Sequence, residues 1–157
     1  MTSAWIPRIG VFGALASSAI GACALEPDVG PLLAGRCSDA DTNPQVSVSF
    51  AAEVRPLINR GIGAGGCSCH LQFPSGPGPG IQLAGLDLSS MMALREGGVS
   101  SGPQIVVAGQ PCASILFQKV SDAPPFGSRM PLDGPPFLTP AEVALIHDWI
   151  AEGAANN

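Results

Sequence analysis

Glycine and proline, 20 and 16 of them, make up 36 of the 157 residues and recur along the whole chain. Glycine costs the most backbone entropy to order, and proline breaks helix interiors. A chain so rich in both is cut into short elements joined by loops. Yet 46% of the residues are hydrophobic and only 12% charged, which is not the composition of a disordered chain. The combination predicts one small loop-rich domain whose aliphatic stripes are too sparse to close a core alone. Such domains usually need a staple: a disulfide, a metal or a cofactor.

The charge balance excludes one class of partner. Seven Lys and Arg face twelve Asp and Glu, a net charge of −5 with no basic run. Nucleic-acid binding needs clustered cations to displace phosphate counterions, so no nucleic-acid partner is expected. Past residue 25 no apolar stretch reaches the ~18 residues of a membrane span, so none is expected there.

Residues 1–22 read as a secretory signal, with Arg8 as the only charge and small or apolar residues from Ile9 to Ala22. The segment ends Ile20-Gly21-Ala22-Cys23, which resembles the lipobox of bacterial lipoproteins. The resemblance implies that Cys23 is acylated, becomes the mature N-terminus and holds the protein to a membrane through its lipid anchor. An ordinary cleaved signal with an incidental cysteine is the alternative. Ala24 follows Cys23 where an inner-membrane retention signal would have Asp. The expected location is therefore the outer membrane, facing the periplasm or the cell surface.

Residues 23–45 are broken by Pro27, Gly30, Pro31, Gly35 and Pro44 and read as a flexible tether, leaving 46–157 as the domain. Phe50, Val54, Leu57 and Ile58 form one helical stripe, with Ser49 as its N-cap. A loop is expected from Phe73 to about Gly85, then short helices over 89–95 and 111–120. Five prolines and two glycines keep 122–136 irregular. Thr139-Pro140-Ala141-Glu142 is a capping box opening a last helix, with Val143, Ile146, Trp149 and Ile150 on one face and Gly153 at its end. His147 falls on the opposite face beside Asp148 and reads as a solvated surface residue.

The chemistry lies in Gly66-Cys67-Ser68-Cys69-His70. A c-type haem site adds thiols to porphyrin vinyls and uses the adjacent His as an iron ligand, at the spacing C-x-x-C-H. Here Gly66 stands in the first position of that frame and the extra thiol comes one residue later. From spacing alone, a pair of disulfide halves or a soft-metal site fits as well.

The order of segments adds to this. Val46 to Ile58 leads into Cys69-His70, followed by Gly85-Leu86-Asp87-Leu88, Ile105 to Pro111, Ser128-Arg129-Met130-Pro131-Leu132, Leu138 to Glu142 and Trp149 to Ala154. Over 46–154 the chain resembles bacterial class I cytochrome c-like domains, particularly the divergent kind found in surface lipoproteins. The resemblance implies an all-α fold with the N- and C-terminal helices packed together and long Gly/Pro-rich loops. It also implies haem c, with Cys69 as covalent tether, His70 as proximal ligand and Met130 as distal ligand, 60 residues after His70. Redox partner proteins would follow from that role. Independently, Met130 lies in a proline-rich loop with no apolar period, a position that packing alone does not explain.

The thiols point elsewhere. With Cys23 lipidated, Cys37, Cys67, Cys69 and Cys112 remain. A bridge between Cys67 and Cys69 is strained by their closeness in the chain, so each is expected to pair with Cys37 or Cys112. Spending Cys69 on a thioether leaves an odd thiol, so parity favours a haem-free, disulfide-stapled domain. Three readings stay open: an electron-transfer haem domain; a haem-free structural or interaction lipoprotein; and a Cu(I) site at Cys67, Cys69 and His70, with Met130 as a further soft ligand. No nucleophile elbow or carboxylate cluster is present, so no enzyme is expected.

Overall fold

The computed structural model describes residues 37–122 and 124–157. The expected signal, Cys23 and the tether up to residue 36 lie outside them.

Ser49 caps the first helical stretch as expected, its hydroxyl accepting from the Ala52 amide at 3.2 Å. A π-helical turn, Phe50–Val54, runs directly into α1, Arg55–Ile58. The glycine run then turns the chain into a 3-10 turn at Ser68–His70 and a small antiparallel hairpin, β1 Gln72–Phe73 with β2 Gly76–Pro77. Three six-residue helices follow: α2 Pro79–Ala84, α3 Met91–Glu96 and α4 Ile115–Val120. Two further 3-10 turns, Gly102–Ile105 and Pro111–Ala113, lie between α3 and α4. The last helix, α5 Pro140–Ala151, is twelve residues long and opens with the full capping box of Thr139 and Glu142.

The all-α expectation is corrected. Of the described residues only 41% are helical, 3-10 and π turns included, with five short helices, a two-stranded sheet and much loop. Its glycines and prolines limit every helix but α5 to six residues or fewer. The same residues conceal α2 inside a stretch that reads as loop. Pro79 opens that helix and Gly85, in the left-handed region at φ 65°, closes it.

One core binds these pieces. Phe50, Val54, Leu57 and Ile58 pack with Trp149, Ile150 and Ile146 of α5, and with Leu88, Leu94, Ile105, Leu116 and Val120. The rings of Phe50 and Trp149 lie 5.1 Å apart, and the Arg55 guanidinium lies 4.8 Å from the centre of the Phe50 ring. The orphan amides at the start of the first helical stretch find their acceptors on Asn157. Phe50 N donates to its side-chain oxygen and Ala51 N to its backbone oxygen, both at 2.8 Å. Arg60, past the end of α1, pairs with Glu142 in the first turn of α5. That guanidinium holds the Glu142 carboxyl down at about 2.

The tether boundary also moves. From residue 37 on, the chain is fastened to α5 and to the turn before α4. Thr42 donates to Asp148 from its amide at 3.0 Å and its hydroxyl at 2.5 Å, and Asp39 accepts from the Cys112 amide at 2.8 Å. His147 is accordingly buried, 7% exposed, rather than solvated. Its Nε2 lies 2.6 Å from the Ser38 carbonyl oxygen and its Nδ1 2.8 Å from Asp148. The segment that covers it reads as tether in the sequence, which hides Ser38, its partner, and Thr42, the partner of Asp148.

The disulfide pairing differs from expectation as well. Cys37 bonds to Cys112 across 75 residues, while Cys67 and Cys69 remain free thiols. Closing so long a loop strongly restricts the unfolded chain. Replacing both Cys37 and Cys112 with Ala is expected to cost about 2–5 kcal/mol, the usual range for a native bridge in a small exported domain. Urea unfolding checks it; a midpoint equal to the parent's would contradict it.

Candidate functional site

Cys67, Cys69, His70 and Met130 all line one cavity of about 370 Å³, although Met130 lies far along the chain from the other three. Its walls are largely apolar, built from Leu88 and Ile105 at the back, Ile115, Leu116 and Val120 of α4, and Phe126. Leu83 and Leu132 line it too and are largely exposed, at 86% and 70%. The volume falls within the range of small-molecule and cofactor sites, roughly 300–1,000 Å³. Charged side chains reach it only as Lys119 and Asp133.

The cysteine-histidine wall is fixed by backbone bonds. Cys67 N donates to Ile58 O at 3.1 Å, and His70 N to Cys67 O at 2.9 Å, which ties the 3-10 turn to the end of α1. Glycine at position 66 now has a steric reason. A Cβ there would collide with the side chain and carbonyl of Arg60. The first position of the C-x-x-C-H frame therefore cannot carry a cysteine in this backbone, and the thiol stands at Cys67.

His70 is oriented for ligation. Its Nδ1 lies 3.1 Å from the Leu86 carbonyl oxygen, an acceptor, so Nδ1 carries the proton and Nε2 keeps its lone pair. Gly80 supports the ring at close range, since a Cβ there would stand 2.7–2.8 Å from the ring atoms. Burial lowers the His70 pKa, the charge of Lys119 lowers it further, and the Leu86 bond opposes them. A neutral imidazole is the form that binds metal.

Met130 is held from the other direction in sequence. Its amide donates to Lys119 O at 2.7 Å, and Arg129 Nε donates to Val120 O at 3.1 Å. The last-turn carbonyls of α4, which have no helical partner, thus receive the loop. Arg129 also pairs with Asp122 and stacks on Phe137, 4.4 Å from the ring centre.

Cys67 and Cys69 are half-buried. Desolvation pushes the Cys67 thiol up to about 11, with Cys69 and Asp133 adding and Arg60 opposing. Among the described residues no three His, Cys, Asp or Glu side chains gather as a metal-ligand set. Cys67, Cys69 and His70 all line the cavity. A porphyrin asks less of the protein, because it brings four nitrogens and needs only axial ligands. A neutral imidazole, a thioether, two uncommitted thiols and an apolar cavity fit that group.

A larger depression of about 530 Å³ runs between Phe117, Phe137, Val143 and His147 and holds none of these four residues. Sequence reasoning missed Gly80 and Lys119 as parts of the site. Gly80 gave no signal beyond its loop-like surroundings, whereas Lys119 is the only lysine in the chain. No family model, curated protein or solved structure matches the chain.

At pH 8, Cys67 is expected to remain unalkylated by iodoacetamide in the folded haem-free protein and to react once urea unfolds it. Peptide mass mapping reads this directly; rapid alkylation in the native state would contradict the desolvated, protonated thiol.

Proposed function

We propose that this protein is an exported haem-binding electron carrier, with His70 and Met130 as axial ligands and Cys69 as the covalent tether. The observation that carries the reading is the convergence of His70, Met130, Cys67 and Cys69 on one apolar cavity. When bound, haem supplies one-electron redox chemistry, and a His/Met ligand pair raises its potential. The chain's own contribution is to keep the imidazole neutral and oriented, to hold the thioether in a pinned loop and to exclude water with an aliphatic wall.

The disulfide strengthens this reading over the haem-free alternative. With Cys37 bonded to Cys112, the domain has its staple without using either thiol at the cavity. Spending Cys69 on a thioether then leaves Cys67 as the one unpaired thiol among the described residues, half-buried in the cavity wall. A bridge of this kind also supports export to an oxidising compartment, in keeping with lipidation at Cys23 and an outer-membrane location. Among the described residues no helix is long and apolar enough to cross a membrane, so attachment would rest on the lipid.

Coexpression with a c-type maturation system tests the ligand assignment. The parent is expected to show a reduced α-band. Met130→Ala is expected to keep haem, with a lower potential and an iron open to carbon monoxide, and His70→Ala to abolish stable incorporation. An unchanged potential and no carbon monoxide binding in Met130→Ala would remove Met130 from the site.

A further inference from the structure

Lys119 holds the loop that contains Met130 from both ends of its own residue. Its backbone oxygen accepts from the Met130 amide at 2.7 Å, while its Nζ donates to Phe126 O at 2.8 Å and Ser128 O at 2.6 Å. The ammonium also lies 4.9 Å from the centre of the Phe126 ring. One side chain thus spans three residues of a segment that has no helix or strand of its own. The loop has few other anchors. Arg129 donates to Val120 O and pairs with Asp122, which is largely exposed, so solvent screening weakens that pair; further along, Asp133 accepts from the Gly63 amide.

We propose that Lys119 is the positioning residue for Met130, setting the thioether in the cavity wall by gripping the loop at Phe126 and Ser128. A lysine placed in the wall of an apolar cavity is otherwise costly, since its charge is partly desolvated without an acidic partner. Burial lowers its pKa accordingly. Two carbonyl acceptors offset that cost, because hydrogen bonds from a charged donor are the stronger kind. The grip acts on the loop whether or not haem is present; Met130 as an iron ligand rests on the reading given above.

Two measurements keep the grip and the haem reading apart. In the haem-free protein, Lys119→Met is expected to speed exchange of the Met130 amide, which donates to Lys119 O, by about tenfold or more, the scale of one charge-assisted hydrogen bond. Exchange in α5 is expected to stay unchanged, and Lys119→Arg, which can reach the same carbonyls, to restore slow exchange. Parent-like exchange of the Met130 amide in Lys119→Met would overturn the proposal, and so would equal acceleration throughout the domain. In haem-loaded protein, added imidazole is expected to displace the Met130 thioether at about tenfold lower concentration in Lys119→Met than in the parent, with Lys119→Arg close to the parent. Equal imidazole midpoints would overturn the positioning role. A parent that takes up no haem would instead defeat the haem reading, and the exchange result would then decide the grip alone.

Discussion

The contact between Phe50 and Trp149 carries the rest of the architecture. Helices of four to six residues cannot hold themselves in water, because nucleation costs more than so few hydrogen bonds return. Here the first helical stretch and α4 lean on α5, the one helix long enough to serve as a support, while α2 packs on the turn at Ser68–His70 and α3 on the turn at Gly102–Ile105. Trp149 is fully buried in the last turn of α5 and Phe50 lies against it, 5.1 Å away between ring centres. Truncating a buried aromatic typically costs about 3–5 kcal/mol, against a total of about 5–15 kcal/mol for a domain. The C-terminal residues add to the same junction. The Trp149 indole donates to Ala155 O at 2.9 Å, and Arg95 donates to Ala154 O at 3.0 Å.

From that junction two paths lead to the cavity. Along the first, α1 ends at Ile58, whose carbonyl receives Cys67 and so sets the wall with both thiols and His70. Along the second, Cys112 is bonded to Cys37 just before α4, and the far end of α4 receives the Met130 loop. The disulfide therefore secures the beginning of the helix whose end presents the thioether. Around the cavity the chemistry is uniform in kind: a neutral imidazole, a protonated thiol and a thioether, with Lys119 turned onto carbonyl oxygens.

Local signals in the sequence were legible wherever a residue type acts on its own backbone. Ser49 and the Thr139–Glu142 capping box fall where a capping argument puts them. Tertiary partners were not legible. His147 looks exposed on a helical wheel, yet Ser38 and Thr42, more than a hundred residues earlier, cover that face of α5. The cysteine pairing was opaque for the same reason, since three connectivities satisfy the same spacings. Helix α2 was hidden because the proline and glycine that bound it are also the residues that mark loops. At the site, Cys67, Cys69, His70 and Met130 could be singled out from sequence. The closeness of Arg60 that requires glycine at 66, and the support of Gly80 beneath His70, exist only once the chain is folded.

Covalent haem at the cavity wall Cys67-Ser68-Cys69-His70 is what we propose. Mass spectrometry of the exported protein, digested after production in cells that mature a control c-type protein, tests it most directly. The account predicts that the peptide containing Cys67 and Cys69 gains the mass of one haem through Cys69, with Cys67 still alkylatable after unfolding and Cys37 linked to Cys112. An unmodified peptide with both thiols free, recovered from the same cells, would contradict it.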